Sequence, residues 1–184
     1  MKKRKFIQRM ISLLLAITLL CALALTASAA SVWLGVDDDD AQGHSNASYG
    51  PWSRVYSSNL KYGEGLITST GLYNGRVRSY EWLFKNAVVG YDWMGIEAKV
   101  WLYHSSFNDP EATYAVKVNN ILSYTVGTVN QNTAPAGWTK FPKKEWPRPG
   151  LDPGNSARGI ILWPSSDSSA YTCGADWIEA TVYY

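Results

Sequence analysis

Histidine and cysteine are scarce in this chain, and helical patterning is nearly absent past its first 29 residues. These shortages remove most catalytic and metal-binding schemes at the outset. Of 184 residues only two are His and two are Cys. Cys21 lies in the N-terminal apolar stretch, so His44, His104 and Cys173 are all that remain for a nucleophile–base arrangement or a histidine-rich metal site. No catalytic residue and no metal ligand set is assigned. Cys173 alone cannot close an internal bridge, so the domain does not depend on disulfides. Its thiol is either reactive or a small buried apolar group, and the second is the ordinary state of a free Cys. The 15 Asp and Glu residues would allow an acid pair for glycoside hydrolysis, but the sequence sets no two of them at the required separation. The chain is read as a non-enzyme.

Positive charge is short as well. Of 17 Lys and Arg residues, five (Lys2, Lys3, Arg4, Lys5, Arg9) fall within the first nine positions. The remainder carries 12 against 15 acids, about −3 with His neutral, and has no Lys/Arg block. Nucleic acid, which is bound by neutralising phosphates, is therefore not an expected partner.

What the N-terminus does contain is a basic start, an apolar run over 11–25 and then Ala27-Ser28-Ala29, a small-x-small site. This pattern predicts a secretory signal peptide over 1–29, cleaved after Ala29 or Ala30. The apolar run is shorter than the roughly 18–20 residues of a spanning helix, so no transmembrane segment is expected after cleavage, and the product is expected to be secreted. Thr18-Leu19-Leu20 ahead of Cys21 lacks the small residue that a lipid-anchored cysteine follows. Residues 30–48 read as an N-terminal acidic segment around Asp37, Asp38, Asp39 and Asp40. Calcium is the one cofactor this run could serve, although it lacks the alternating ligand spacing of a calcium loop, and a solvated segment is the alternative.

Residues 49–184 show short alternating apolar runs between Gly, Pro, Asn, Asp and Ser clusters, the pattern of an all-β domain. The prediction is a single two-sheet antiparallel β-sandwich, jelly-roll-like, of eight or so strands. Strands are expected at 76–84, 95–104, 112–118, 122–130, 137–141, 158–163 and 177–184, with weaker ones at 52–56 and 65–70. In 95–104, Ile96, Ala98, Val100 and Leu102 face one side while Glu97, Lys99, Trp101 and Tyr103 face the other. Strands 95–104 and 112–118 are expected to pair through the Phe107-Asn108-Asp109-Pro110 turn, and Asn119-Asn120 suits a further hairpin. Four prolines within 141–155 mark an ordered surface loop or sheet edge.

Aromatic residues are in excess, with nine Trp and twelve Tyr, none of them in the leader. Trp82, Trp93 and Tyr114 are assigned to the core. Trp101 and Tyr103, with Lys99 beside them, fall on the polar side of their strand and form the candidate ligand face. One reading is that flat aromatic rings take the C–H face of a sugar while polar neighbours take its hydroxyls. The other is that this side packs under the proline-rich loop or a second sheet. Tyr114, Trp138 and Asp176 are read as structural. Asp176, at the start of the last strand, is expected to accept hydrogen bonds and hold a turn.

Several short motifs resemble, in order and spacing over about 130 residues, the golvesin-like domain, a carbohydrate-binding-like module of secreted bacterial enzymes such as xanthan lyases. They are Gly50-Pro51-Trp52-Ser53, Ala112-Thr113-Tyr114-Ala115-Val116, Val129-Asn130-Gln131-Asn132, Gly137-Trp138, Gly159-Ile160-Ile161-Leu162 and Gly174-Ala175-Asp176-Trp177-Ile178. The pattern departs at Glu81-Trp82-Leu83-Phe84, where no proline follows the tryptophan, and at Ile96, which lacks the Gly-x-Tyr start. The resemblance implies a β-sandwich with a glycan-binding or cell-surface role and no catalysis of its own. It carries over no binding residue. The expected partner is a polysaccharide or cell-surface glycan. The alternative is a secreted protein-interaction or structural domain, such as an inhibitor or toxin-like factor, since Trp and Tyr also anchor protein interfaces.

Overall fold

A computed structural model describes residues 30–36, 45–83, 94–103, 106–117, 123–146 and 159–184. Residues 1–29, expected to be a signal peptide, the Asp37–Asp40 run, Trp93, His44, His104 and the Asn119-Asn120 pair lie outside the described residues. Fifteen strands, numbered in chain order, are present among the described residues, with no helix. Every strand pairing among them is antiparallel.

One main sheet, the front sheet, has the order β1 (Ser31–Val36), β15 (Ile178–Tyr183), β8 (Gly95–Leu102), β11 (Gly137–Lys140), with the short β12 (Lys144–Glu145) also paired to β8. The other main sheet, the back sheet, has the order β10 (Ser123–Val129), β9 (Ala112–Lys117), β13 (Gly159–Trp163), β7 (Ser79–Leu83), β2 (Ser45–Tyr49). A three-stranded sheet, β14 (Thr172–Ala175), β4 (Glu64–Ser69), β3 (Ser53–Tyr56), and a hairpin of β5 (Leu72–Tyr73) with β6 (Arg76–Val77) complete the set. From β7 to β15 the chain passes repeatedly between front and back sheets, as in a jelly-roll sandwich.

The core lies between the two main sheets. Ile96, Ala98, Val100 and Leu102 of β8, with Ile178, Ala180 and Val182 of β15, form the buried side of the front sheet. They join Tyr80, Trp82, Tyr114, Val116, Ile160 and Leu162 of the back sheet in one cluster. A run of aromatic contacts threads through it from Trp52 to Tyr80, Trp82, Tyr114 and Phe141, with ring centroids 5.0–6.3 Å apart. Much of the aromatic excess is therefore core, Trp82 and Tyr114 included. The alternation read from 95–104 matches the buried and exposed sides of β8.

Two expectations are corrected. Strands β8 and β9 do not pair: β8 lies between β15 and β11, whereas β9 lies between β10 and β13 in the opposite sheet. The connection between them is a crossover, because Phe107 and Asp109 within it are fully buried instead of forming a solvated hairpin turn. Second, the sheets begin before residue 49. Residues 31–36 pair along the whole of β15, and 45–49 pair along β7. Without β1, the last strand would leave one row of backbone groups unpaired at a sheet edge. Within 141–155, residues 144–145 form the edge strand β12.

Candidate functional site

The outer side of the front sheet gathers the chemistry. Strict alternation turns Glu97, Lys99 and Trp101 of β8 and Glu179, Thr181 and Tyr183 of β15 away from the core. Register then lines these residues into rows. Trp138 of β11 stands opposite Trp101, and Lys140 stands opposite Lys99. On the other flank Glu179 stands opposite Lys99, Thr181 opposite Glu97 and Tyr183 opposite Gly95. Directly opposed residues share one face of a sheet, so the rows are aromatic, charged, polar and aromatic in turn.

The first row is roofed by the loop over 57–63 that joins β3 to β4. This loop folds on itself through Ser57 N–H to Gly63 O (2.9 Å) and Leu60 N–H to Ser57 O (3.1 Å), and it buries Leu60. Gly63 takes φ +90°, which an L side chain rarely adopts. Two further bonds fasten the loop to the sheet: Lys61 N–H donates to Asp176 Oδ2 (3.0 Å), and Trp101 Nε1–H donates to the Asn59 carbonyl (2.9 Å). The loop thereby sets Tyr62, 63 % exposed, edge-on against Trp177 at 5.0 Å. Trp177 itself is only 4 % exposed.

Trp101 and Trp138 are half-buried and meet edge to face at 5.4 Å. Two ammonium groups stand over Trp138, Lys99 Nζ at 4.1 Å and Lys61 Nζ at 5.1 Å from the ring centre, and Lys61 Nζ is also 5.0 Å from the Trp101 ring. These distances are within the range of cation–π attraction. Glu179 ties the rows together, since it accepts from Trp177 Nε1–H through Oε1 (3.2 Å) and pairs with Lys99 through Oε2.

Beside the tryptophans lies an open groove of about 300 Å³ lined by Glu97, Lys99, Lys140, Lys143, Glu179 and Thr181 together with the apolar Ala98, Phe141 and Ala180. Its far end is marked by Tyr183, whose ring carries Lys143 Nζ at 4.3 Å. Burial, together with its hydrogen bond to Glu97, pushes the Tyr183 phenol above its ordinary range. The Lys143 ammonium is held up chiefly by its hydrogen bond to Glu145.

Of the residues singled out in the sequence, Lys99, Trp101 and Trp138 come together here. Tyr103 does not extend the aromatic row into solvent: it packs against the core, edge-on to Phe107 at 6.2 Å. Asp176 is buried and holds the loop over 57–63, while Tyr114 lies in the core, away from this face. Sequence reasoning missed Lys61, Tyr62, Lys140, Glu179 and Tyr183. A Lys-Tyr pair set between Asn59 and Gly63 in a loop was the one local signal for the first two. Among the described residues no group of three or more His, Cys, Asp or Glu could hold a metal ion, and no helix is long and apolar enough to cross a membrane.

Neither a family model nor a curated relative matches the sequence. Among solved structures, the chain is similar to a family 29 carbohydrate-binding module from Piromyces equi, with 13 % identity, a TM-score of 0.48, and 82 % of this chain and 91 % of that one covered. It is also similar to a xylan-binding domain of family 22 (13 %, TM-score 0.35, 80 % and 91 % covered). A third is the family 11 module from Clostridium thermocellum in complex with a β-1,3-1,4-mixed-linked tetrasaccharide (14 %, TM-score 0.36, 80 % and 94 % covered). All three TM-scores lie below 0.5.

Proposed function

We propose that this chain is a secreted, non-catalytic β-sandwich that binds polysaccharide across the outer side of its front sheet. The observation that carries the reading is the combination of partly exposed Trp101 and Trp138 with a groove that sets charged and polar side chains beside the apolar Ala98, Phe141 and Ala180. A flat apolar patch would suit a protein partner, whereas convergent hydroxyl-binding groups beside aromatic rings suit a sugar. From the Trp101 row to the Gly95 row the strand rises about 20 Å, enough for several sugar rings in line. Tyr183, with Lys143 Nζ 4.3 Å from its ring centre, marks the far end. Glu97, Lys99, Lys140, Glu179 and Thr181 supply donors and acceptors between the two ends.

The experiment is retention on a panel of insoluble polysaccharides and purified cell walls, using the full-length chain expressed in a secreting host and recovered from the medium. Saturable retention on at least one matrix, with an N-terminus at residue 30 or 31, supports the reading. Retention on none of them, with a folded protein, rules it out in favour of the protein-interaction reading.

A further inference from the structure

The charge on the candidate face is at odds with the charge of the chain. After residue 29 the sequence is net negative, yet three of its seven lysines, Lys99, Lys140 and Lys143, line this one groove, and a fourth, Lys61, lies over the Trp101–Trp138 pair on the same face. Two of the four are spoken for: Lys99 pairs with Glu179 and Lys143 with Glu145, at 2.8 Å for the second pair. Lys61 and Lys140 have no carboxylate within ion-pair distance among the described residues. Lys61 instead lies over aromatic rings, 5.0 Å from Trp101, 5.1 Å from Trp138 and 5.9 Å from Tyr62.

That arrangement bears on what can stack there. A ring with an ammonium over it does not offer a bare hydrocarbon face to a neutral sugar, which would have to displace the lysine and forfeit the cation–π attraction. A sugar bearing a carboxylate gains where the neutral sugar loses. Its anion meets the ammonium of Lys61 or Lys140, and its C–H face still meets the accessible part of Trp138 or Tyr62. A charge-assisted hydrogen bond from either ammonium to a carboxylate, made beside a stacked ring, favours the acidic sugar over its neutral counterpart.

Resting on the polysaccharide reading above, we propose that the ligand is an acidic polysaccharide of uronate units, with Lys61 and Lys140 receiving its carboxylates beside the Trp101–Trp138 pair. A linear polyol phosphate offers the anion but no pyranose face for the rings, so a uronic acid fits better. The polymer's spacing is not fixed by the face, but its charge and its ring are.

The test is affinity electrophoresis of the full-length secreted chain in gels holding polygalacturonate or polymannuronate. The comparison gels hold the same polymers with carboxyls reduced to alcohols, polyglycerol phosphate, or neutral xylan and mixed-linked glucan. The inference predicts retardation by a polyuronate, a large loss on carboxyl reduction, and a further loss as salt rises. Lys140→Gln and Lys61→Gln each weaken retardation by the native polymer about three- to tenfold and narrow the gap between native and reduced polymers; an unchanged native-to-reduced ratio in both variants overturns the assignment of the carboxylates to these lysines. Equal retardation by native and reduced polymers overturns the inference and leaves the polysaccharide reading standing, as does retardation by the neutral glycans alone. Retardation by polyglycerol phosphate as strong as by polyuronate overturns the uronate assignment. No retardation in any gel overturns both.

Discussion

Gln131 shows how a single side chain can stand in for a strand. Its amide sits in the core, where Nε2–H donates to the Gly174 carbonyl at 2.9 Å and Oε1 accepts the Gly174 N–H at 3.0 Å. On the side of β14 away from β4, where no strand follows among the described residues, the buried backbone of Gly174 is thus satisfied by a primary amide with the same donor and acceptor geometry. The remaining N–H of Nε2 reaches Tyr114 Oη at 3.2 Å. Replacing Gln131 by Ala leaves two buried backbone groups without partners, and each such loss costs about 1–3 kcal/mol. Urea unfolding of Gln131→Ala should show a fall of several kcal/mol, whereas a change below about 0.5 kcal/mol, the size of an ordinary surface substitution, would contradict the account. The sequence marked this position only as a short Val-x-Gln match. Nothing local to 129–132 indicates that its partner lies at residue 174, 43 positions away.

At the scale of the elements, period-2 patterning carried most of the strands but not their partners. Alternation in 95–104 separated the core side of β8 from the outer side because each inward residue is apolar. Partner choice is a long-range property. β8 and β9 were expected to be neighbours from proximity in sequence, while the buried Phe107 and Asp109 between them turn that connection into a crossover. The candidate face was legible in Trp101 and Lys99 for the same reason that β8 was. Trp138 joins it only through the β8–β11 register, and Lys61 and Tyr62 only through the Asp176 and Trp101 bonds that pin their loop. Close strand approach in the back sheet gives an element-scale prediction. A Cβ at Gly159 would stand 1.9 Å from the Trp82 carbonyl oxygen, far inside contact distance. Gly159→Ala must therefore push β13 from β7, at a cost of about 1–3 kcal/mol or more, read as a lower melting temperature. An unchanged melting temperature would show that the two strands are not this close.

Among the described residues, the Cys173 thiol and the Tyr114 phenol are buried and held protonated by the fold. Burial pushes the Cys173 thiol well above its ordinary range, with Asp109 adding to the shift. Burial likewise raises the Tyr114 phenol, opposed in part by its hydrogen bond to Gln131. In the unfolded chain these groups ionise near their free values, about 8.5 for Cys and about 10 for Tyr. Between those values and the raised ones, the folded state holds protons that the unfolded state has lost, so stability falls as pH rises. Their contribution is fully present at pH 7, and denaturant midpoints should decline progressively above pH 8.5 to 9. Cys173→Ala should remove the earlier part of that decline. A midpoint flat from pH 7 to pH 10 would contradict the burial of the Cys173 thiol. Cys173 should also resist alkylation in the folded protein and react on unfolding, in keeping with a structural thiol.

The central claim is that the outer side of the front sheet is where this protein meets polysaccharide. Its most direct test compares two aromatic truncations on a matrix that retains the unaltered chain. Trp138→Ala removes a ring from the proposed face, and Tyr73→Ala removes an exposed ring outside it, in the β5–β6 hairpin. With both variants folded by near-ultraviolet circular dichroism, the account predicts that Trp138→Ala loses about tenfold or more in affinity, roughly 1.4 kcal/mol, while Tyr73→Ala binds as the unaltered protein does. Equal retention of Trp138→Ala, or loss confined to Tyr73→Ala, would contradict it.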